Sequence, residues 1–86
     1  MRSPYRVELV KRAVKEYHAI PSHERLNVKA AILGLEKNPR NTQIKKLQGR
    51  EYYRLRVGDW RVIFSISDKL KVVTIISVER RTSTTY

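Results

Sequence analysis

Apolar and polar residues alternate near the start of the chain and then take up a helical spacing. Residues 5–9 read Y-R-V-E-L, and this period of two predicts a strand. Apolar residues then recur every three or four positions from Val10 to Ile20 and again from Leu26 to Leu35, which predicts two helices. The pattern therefore indicates a strand followed by an antiparallel helical hairpin.

Breaker and capping residues set the expected bounds of these helices. Pro21 ends the first, and Ser22 lies where the N-cap of the second belongs. Asn38-Pro39 is expected to end the second helix, because the residue before a proline disfavours the helical conformation. The second helix is therefore expected to run to about Lys37.

The second half of the chain carries strand patterns. Residues 52–57 and 60–66 alternate on either side of Gly58-Asp59, a pair typical of a two-residue hairpin turn. Residues 70–78 are rich in β-branched side chains, which predicts the central, most buried strand. The polar, basic residues 40–50 are expected to form a connecting loop, and residues 79–86 a polar tail.

The order of these elements predicts an α+β fold. An N-terminal strand and a helical hairpin precede a three-stranded antiparallel meander, with the helices packed on one face of the sheet. The chain has 86 residues, too few to bury a second core, so we expect one domain over residues 1–86.

The composition of the chain limits the classes of partner and the cellular location that can be expected. Lys and Arg total 19 against 8 Asp and Glu, a formal net charge of +11 that favours nucleic acid, an anionic membrane or an acidic protein as partner. The chain has no cysteine, which excludes disulfides and thiolate chemistry and favours a reducing, cytoplasmic location. Because no apolar run approaches a membrane span and no signal peptide is evident, we expect neither membrane insertion nor secretion.

The hairpin places several arginines on one face. With Gly58 and Asp59 in the turn, Arg56 pairs with Arg61 and Arg54 lies beside them, on the face opposite the helices. Like charges directly opposite each other are unfavourable, by up to about 1 kcal/mol. Either these arginines extend into water at little cost, or they form a cradle for anions such as phosphates. The basic residues that could extend this cradle are Lys45, Lys46, Arg50, Arg80 and Arg81.

The side chains on this face can support only a few kinds of interaction and reaction. Arginine offers a planar fork of donors that suits phosphate oxygens, but it does not act as a proton acceptor. Tyr52 and Tyr86 could stack on a nucleobase or take part in proton transfer. No acidic cluster, zinc pattern, glycine-rich phosphate loop or Ser/His/Asp constellation is present, so we expect neither metal nor cofactor.

The run YRLRVGDWRVIF at residues 53–64 resembles the signature hairpin of the RelE/ParE superfamily of bacterial and archaeal toxins. The segments around residues 5–15, 35–40 and 72–81 are similar to that superfamily as well. The resemblance implies the family's compact strand–helix–helix–sheet fold. Its RelE-like members cut mRNA in the ribosomal A site without a metal, by attack of the substrate's 2′-hydroxyl on the adjacent phosphate, which leaves a 2′,3′-cyclic phosphate.

The resemblance also implies roles for particular residues. The family's arginine after the hairpin turn falls on Arg61, its arginine past the last strand on Arg81, and its base-stacking C-terminal tyrosine on Tyr86. The family's basic pair before the turn falls on Arg54 and Arg56. The remaining residues expected to bind RNA or the ribosome are Lys45, Lys46, Arg50, Arg80 and Tyr52. Expected partners are an acidic, RelB-like antitoxin encoded nearby, which could form a heterotetramer with the toxin, together with the ribosome and mRNA; no membrane partner is expected.

Two departures from the family pattern leave the general base open. The basic pair is lysine in RelE itself, and some branches use a C-terminal histidine that this chain lacks. Tyr86 or water could accept the proton, electrostatics could supply most of the rate, or the protein could be a weak nuclease. Two other functions remain: inhibition of DNA gyrase, as in ParE-like toxins, and a catalytically inert domain that binds operator DNA with its antitoxin. The sequence fixes neither codon specificity nor the identity of the antitoxin.

Overall fold

The computed structural model describes residues 4–40, 44–47 and 51–80 and confirms the α+β architecture. In chain order the elements are β1 (Arg6–Leu9), α1 (Lys11–His18), α2 (Ser22–Gly34), β2 (Ile44–Lys46), β3 (Tyr53–Val57), β4 (Trp60–Ser67) and β5 (Val72–Arg80).

The strands form one sheet in the order β1-β5-β4-β3-β2. Strands β3, β4 and β5 make the predicted antiparallel meander, and β1 pairs in parallel with β5. The prediction that the β-branched strand lies at the centre was wrong, because β4 occupies that position. β5 is still an interior strand, flanked by β1 and β4, which accounts for its apolar composition.

Several predicted boundaries were also wrong. The expected loop at residues 40–50 contains β2, which pairs with β3 through Ile44 opposite Leu55 and is too short and basic to show a strand pattern. Pro21, not Ser22, is the N-cap of α2, and this helix ends at Gly34 instead of near Lys37. β5 runs to Arg80, beyond the predicted end at residue 78, because the start of β4 supplies backbone partners for its last residues.

The core lies between the helices and the inward face of the sheet. Phe64 is fully buried on β4, and the ring of Tyr53 stacks against it from β3. Trp60 also faces the helices, and its Nε1–H donates to Glu24 Oε1 of α2 at 3.2 Å. The buried core residues are Ala13, Ile20, Val28, Ile32, Leu35, Leu55, Trp60, Val62, Phe64, Val73, Ile75 and Val78. Burial of Trp60, Val62 and Phe64 confirms the predicted inward face.

The β3–β4 turn fixes the register of this sheet. Gly58 has a φ of 58°, a left-handed value that favours glycine. The turn pairs Val57 with Trp60 and Arg56 with Arg61, as predicted. A slip of one residue would move every side chain to the opposite face, so this turn determines which residues form the solvent-facing surface.

Helix α1 protects the edge of β5 beyond the end of β1. The parallel pairing stops at Leu9 opposite Ile75, which leaves later backbone groups of β5 without a strand partner on that side. The Val78 N–H instead donates to Glu16 Oε1 of α1 at 2.8 Å. A carboxylate can therefore satisfy an edge N–H that the short β1 does not reach.

A second polar contact joins distant parts of the chain at the β4–β5 turn. Arg40 donates two hydrogen bonds of 2.8 Å to the carboxylate of Asp68, and the Tyr5 hydroxyl donates a third at 2.7 Å. The Arg40 guanidinium, followed by Tyr5, lowers the pKa of Asp68 from its usual 3.8 to about 2. This cluster ties the segments before β1 and after α2 to the sheet.

Candidate RNA-binding site

The predicted arginine face is present on the sheet. Arg56 lies directly opposite Arg61, and Arg54 pairs with Ile63 on the same face. Lys45 of β2 extends the row, because it lies opposite Arg54. The solvent-facing side of the sheet therefore carries a run of cations from β2 to β4, on the opposite side from the core.

A groove with a volume of about 380 Å³ opens on this face. Its lining residues are Arg12, Leu47, Tyr52, Arg61, Ile63, Ile76, Ser77 and Glu79, and we call it the Arg61 groove. The predicted residues Arg61 and Tyr52 thus meet in one concavity. Apolar walls from Leu47, Ile63 and Ile76 surround the polar groups, as is common in ligand sites.

A β-bulge shapes the floor of the groove. Ile63 pairs with Ser77, whereas the next residue, Phe64, pairs with Ile75. Ile76 is therefore an extra residue on β5, and both Ile76 and Ser77 line the groove. Bulges of this kind redirect side chains and commonly lie beside functional sites.

Arg61 is held by a carboxylate from the neighbouring strand. Its Nη2 lies 3.3 Å from Glu79 Oε1, directly across the β4–β5 pair. The Ser77 hydroxyl donates to Glu79 Oε2 at 3.2 Å, and Arg12 Nη2 lies 3.9 Å from the same oxygen. Glu79 therefore connects the two arginines of the groove.

Arg12 belongs to a second carboxylate pair on α1. Its Nε donates to Glu16 Oε2 at 3.0 Å, and this hydrogen bond raises the pKa of Arg12. Both oxygens of Glu16 are thus engaged, one by Arg12 and the other by the backbone of β5. This arrangement places Arg12 at the rim of the groove with its charge fixed.

The guanidinium of Arg61 is not fully satisfied. Its Nε–H is buried and has no hydrogen-bond partner among the described residues. An unmade hydrogen bond of this kind costs about 1–3 kcal/mol. Arginine commonly binds phosphate through two parallel hydrogen bonds, so a phosphate is a ligand that suits this side chain.

Two of the other predicted binding residues lie on the opposite face of the sheet from the groove. The sheet register places Lys46 opposite Tyr53 and Arg80 opposite Trp60, so both lie away from the groove. The Arg80 guanidinium lies 5.1 Å from the centre of the Trp60 ring. The predicted residues Arg50, Arg81 and Tyr86 lie outside the described residues.

Sequence reasoning missed Glu79, Ser77 and Arg12. The sequence pattern places Glu79 in the tail, whereas β5 runs to Arg80 and brings Glu79 opposite Arg61. Ser77 follows the bulge, which the pattern of β-branched residues does not reveal. Arg12 reaches the groove through the packing of α1 against the edge of β5, and no local sequence signal indicates that contact.

The described residues contain neither a cluster suited to a metal ion nor a helix suited to a membrane. Within residues 4–40, 44–47 and 51–80, no three His, Cys, Asp or Glu side chains lie together in a way that could hold a metal ion. Across those same ranges, neither helix has the length and apolar character needed to cross a membrane.

The described strands form a five-stranded sheet with two helices on one face and the Arg61 groove on the other. Residues 7–84 match a family model described as the ParE toxin of type II toxin–antitoxin systems, parDE. The chain belongs to this family and is therefore a toxin of a toxin–antitoxin system. The superfamily resemblance seen in the sequence is confirmed.

Solved structures of RelE toxins have the same fold. In the archaeal RelE–RelB complex from Pyrococcus horikoshii OT3, the matching chain is 31% identical, with a TM-score of 0.82 over 93% of this chain and 98% of that chain. In the intact E. coli RelBE toxin–antitoxin complex, the matching chain is 26% identical, with a TM-score of 0.80 over 91% and 98%. The isolated E. coli RelE toxin is 25% identical, with a TM-score of 0.83 over 94% and 88%. A comparison with curated protein sequences gives no significant match.

Proposed function

We propose that this toxin is a ribosome-dependent mRNA endoribonuclease that works without a metal ion. The observation that carries the proposal is the Arg61 groove, where an incompletely hydrogen-bonded guanidinium lies beside Tyr52 in a concave, partly apolar site. The similarity to RelE toxins over nearly the whole chain supports the same conclusion.

In this mechanism Arg61 binds a non-bridging oxygen of the scissile phosphate. The 2′-oxygen of the substrate attacks the adjacent phosphorus, the P–O5′ bond breaks, and the products are a 2′,3′-cyclic phosphate and a 5′-hydroxyl. Negative charge grows on the phosphate as the new bond forms, and the guanidinium already present in the groove would stabilise it. Loss of one such donor typically lowers the rate by about 10²–10³.

Arg81 and Tyr86 are proposed from the family resemblance to complete the site. Arg81 would share the charge on the phosphate and the leaving oxygen. Tyr86 would stack on a substrate base and align the hydroxyl for in-line attack. Arg54, Arg56 and Lys45 form the cationic row beside the groove, where they would bind the RNA backbone or the ribosome.

The proposed partners follow from charge and from the relatives. RelE structures include complexes with RelB antitoxins. With a net charge of +11, this chain would bind an acidic antitoxin that covers its basic face until the antitoxin is removed. The mRNA and the ribosome are then the targets in the cytoplasm.

The second candidate function is inhibition of DNA gyrase. The match to a family model named for the ParE toxin of parDE favours it. A gyrase inhibitor would not require a guanidinium in a groove to bind a scissile phosphate, whereas the proposed endoribonuclease would use Arg61 for that purpose. For this reason the second candidate ranks below the first.

Primer extension on a defined mRNA in a translating extract tests the proposal, with gyrase supercoiling of a plasmid measured at the same toxin concentrations. The proposal predicts new mRNA ends within the translated frame with the wild-type toxin, far fewer with Arg61→Ala, and unchanged supercoiling. Intact mRNA together with inhibited supercoiling would instead establish the gyrase function. If neither mRNA nor supercoiling is affected, the protein is the inert binding domain.

A further inference from the structure

A nuclease of this kind needs a group that accepts the proton of the attacking 2′-hydroxyl. Among the described side chains that line the Arg61 groove, the guanidinium groups of Arg12 and Arg61 are poor proton acceptors. Glu79 is the carboxylate in that lining. Carboxylates are among the side chains that commonly act as general bases in enzymes.

We infer that Glu79 is the general base of this toxin, an inference that rests on the proposed endoribonuclease function. The position of its carboxylate carries the argument. Glu79 Oε1 lies 3.3 Å from Arg61 Nη2. Because the 2′-oxygen of a nucleotide is next to its 3′-phosphate, a phosphate held by Arg61 brings the 2′-hydroxyl within reach of a neighbouring acceptor. General-base catalysis requires a separation of about 2.6–3.2 Å in the reacting complex.

Glu79 has capacity left for this proton. Each carboxylate oxygen has two acceptor positions, and Oε1 receives one hydrogen bond from Arg61. Oε2 is held by the Ser77 hydroxyl, which fixes the rotation of the group. The side chain is 37% exposed, so a nucleotide in the groove can contact it. Glu16 is a weaker candidate, since it is not among the residues that line the groove.

The step balances with water as the proton donor to the leaving group. The 2′-O–H proton moves to Glu79 Oε1 as the O2′–P bond forms and the P–O5′ bond breaks. The leaving 5′-oxygen takes a proton from water, and Glu79 returns its proton to solvent. Arg61 remains charged throughout and exchanges its contact with Glu79 for one with the phosphate.

If Glu79 had only a structural role, removing its charge would affect binding and the cleavage rate differently. A partly exposed ion pair contributes about 0–1 kcal/mol, so its main effect would be to occupy Arg61 and compete with phosphate. Removing its charge would then strengthen binding and leave the rate unchanged or faster. A general base gives the opposite result for the rate, and the two roles are therefore separable by measuring binding and cleavage independently.

The test is single-turnover cleavage of mRNA in pre-formed ribosome complexes over a range of toxin concentrations, with Glu79→Gln beside the wild type. Glu8→Gln is the matched control, because it removes the same charge from an exposed ion pair on β1, away from the groove. We expect Glu79→Gln to lower the rate at saturation by about 10²–10⁴, with an unchanged or lower half-saturating concentration. Glu8→Gln should change neither quantity, and thermal unfolding should show both variants folded.

A Glu79→Gln rate at saturation within about threefold of the wild type would overturn the assignment of the base while leaving the endoribonuclease function intact. Weaker binding with an unchanged rate at saturation would overturn it as well. If the wild type does not cut mRNA in these complexes, the proposed function fails first, and the role of Glu79 falls with it.

Discussion

Arg61 and Glu79 face each other across the β4–β5 strand pair, with 3.3 Å between Nη2 of the guanidinium and Oε1 of the carboxylate. The first is the cation proposed to hold the scissile phosphate and the second the group proposed to accept a proton. Placing both on paired strands of a sheet fixes their separation more firmly than loops would. This relationship underlies the predictions on cleavage.

Arg61→Ala should lower the cleavage rate at saturation by about 10²–10³, because the variant lacks the donor that stabilises charge on the phosphate. Arg61→Lys should recover little of this loss, since lysine cannot form two parallel hydrogen bonds to one phosphate. Single-turnover cleavage on ribosome complexes measures both. Thermal unfolding provides the control for folding, and near wild-type cleavage by Arg61→Ala would remove this residue from the mechanism.

Arg54→Ala and Arg56→Ala should act on binding and not on the chemical step. Each removes a cation from the row beside the groove, so affinity for the RNA–ribosome complex should fall and the salt slope should decrease by about one. Binding measured over a series of salt concentrations tests this. Arg6→Ala is the control, because Arg6 lies on β1 at the opposite edge of the sheet; equal effects of all three variants would show that only net charge matters.

The sequence predicted the hairpin register and therefore the arginine face, because Gly58-Asp59 and the flanking alternation are local signals. It did not predict β2, whose three residues become a strand only through pairing with β3. Nor did it predict the groove as a whole. Glu79 joins the site through the length of β5, and Arg12 through the position of α1, and both depend on contacts between segments distant in sequence.

Gly58→Ala should destabilise the fold by about 1–2 kcal/mol, since an L-residue with a side chain is strained at a φ of 58°. No atom lies within 4 Å of an added Cβ, so the cost is conformational and not steric. Gly34→Ala is the matched control. It also meets no atom within 4 Å, and in α2 it should stabilise the protein by up to about 1 kcal/mol. Urea unfolding that gave both variants the same sign would contradict this interpretation of the turn.

Asp68 should make stability depend on pH in the acid range. Its pKa is lowered in the folded state from 3.8 to about 2, so its contribution is fully present above about pH 4 and is lost as the pH falls toward 2. Asp68→Asn should lower the unfolding temperature at neutral pH, and the difference from the wild type should shrink in acid.

Unfolding temperatures measured from about pH 2 to pH 7 test this dependence. Asp59→Asn removes an exposed carboxylate from the β3–β4 turn and should leave the acid dependence of the wild type in place. A constant difference between Asp68→Asn and the wild type at every pH would mean that the contact with Arg40 does not contribute through its charge.

The central claim is that the substrate's own 2′-hydroxyl attacks the phosphate held by Arg61. The most direct measurement is cleavage of an mRNA with a single 2′-deoxynucleotide at the scissile position, in pre-formed ribosome complexes beside the unmodified mRNA. The account predicts that the unmodified mRNA is cut to a 2′,3′-cyclic phosphate and that the modified mRNA stays intact at that position. Cleavage of the 2′-deoxy mRNA at the rate of the unmodified one would contradict it.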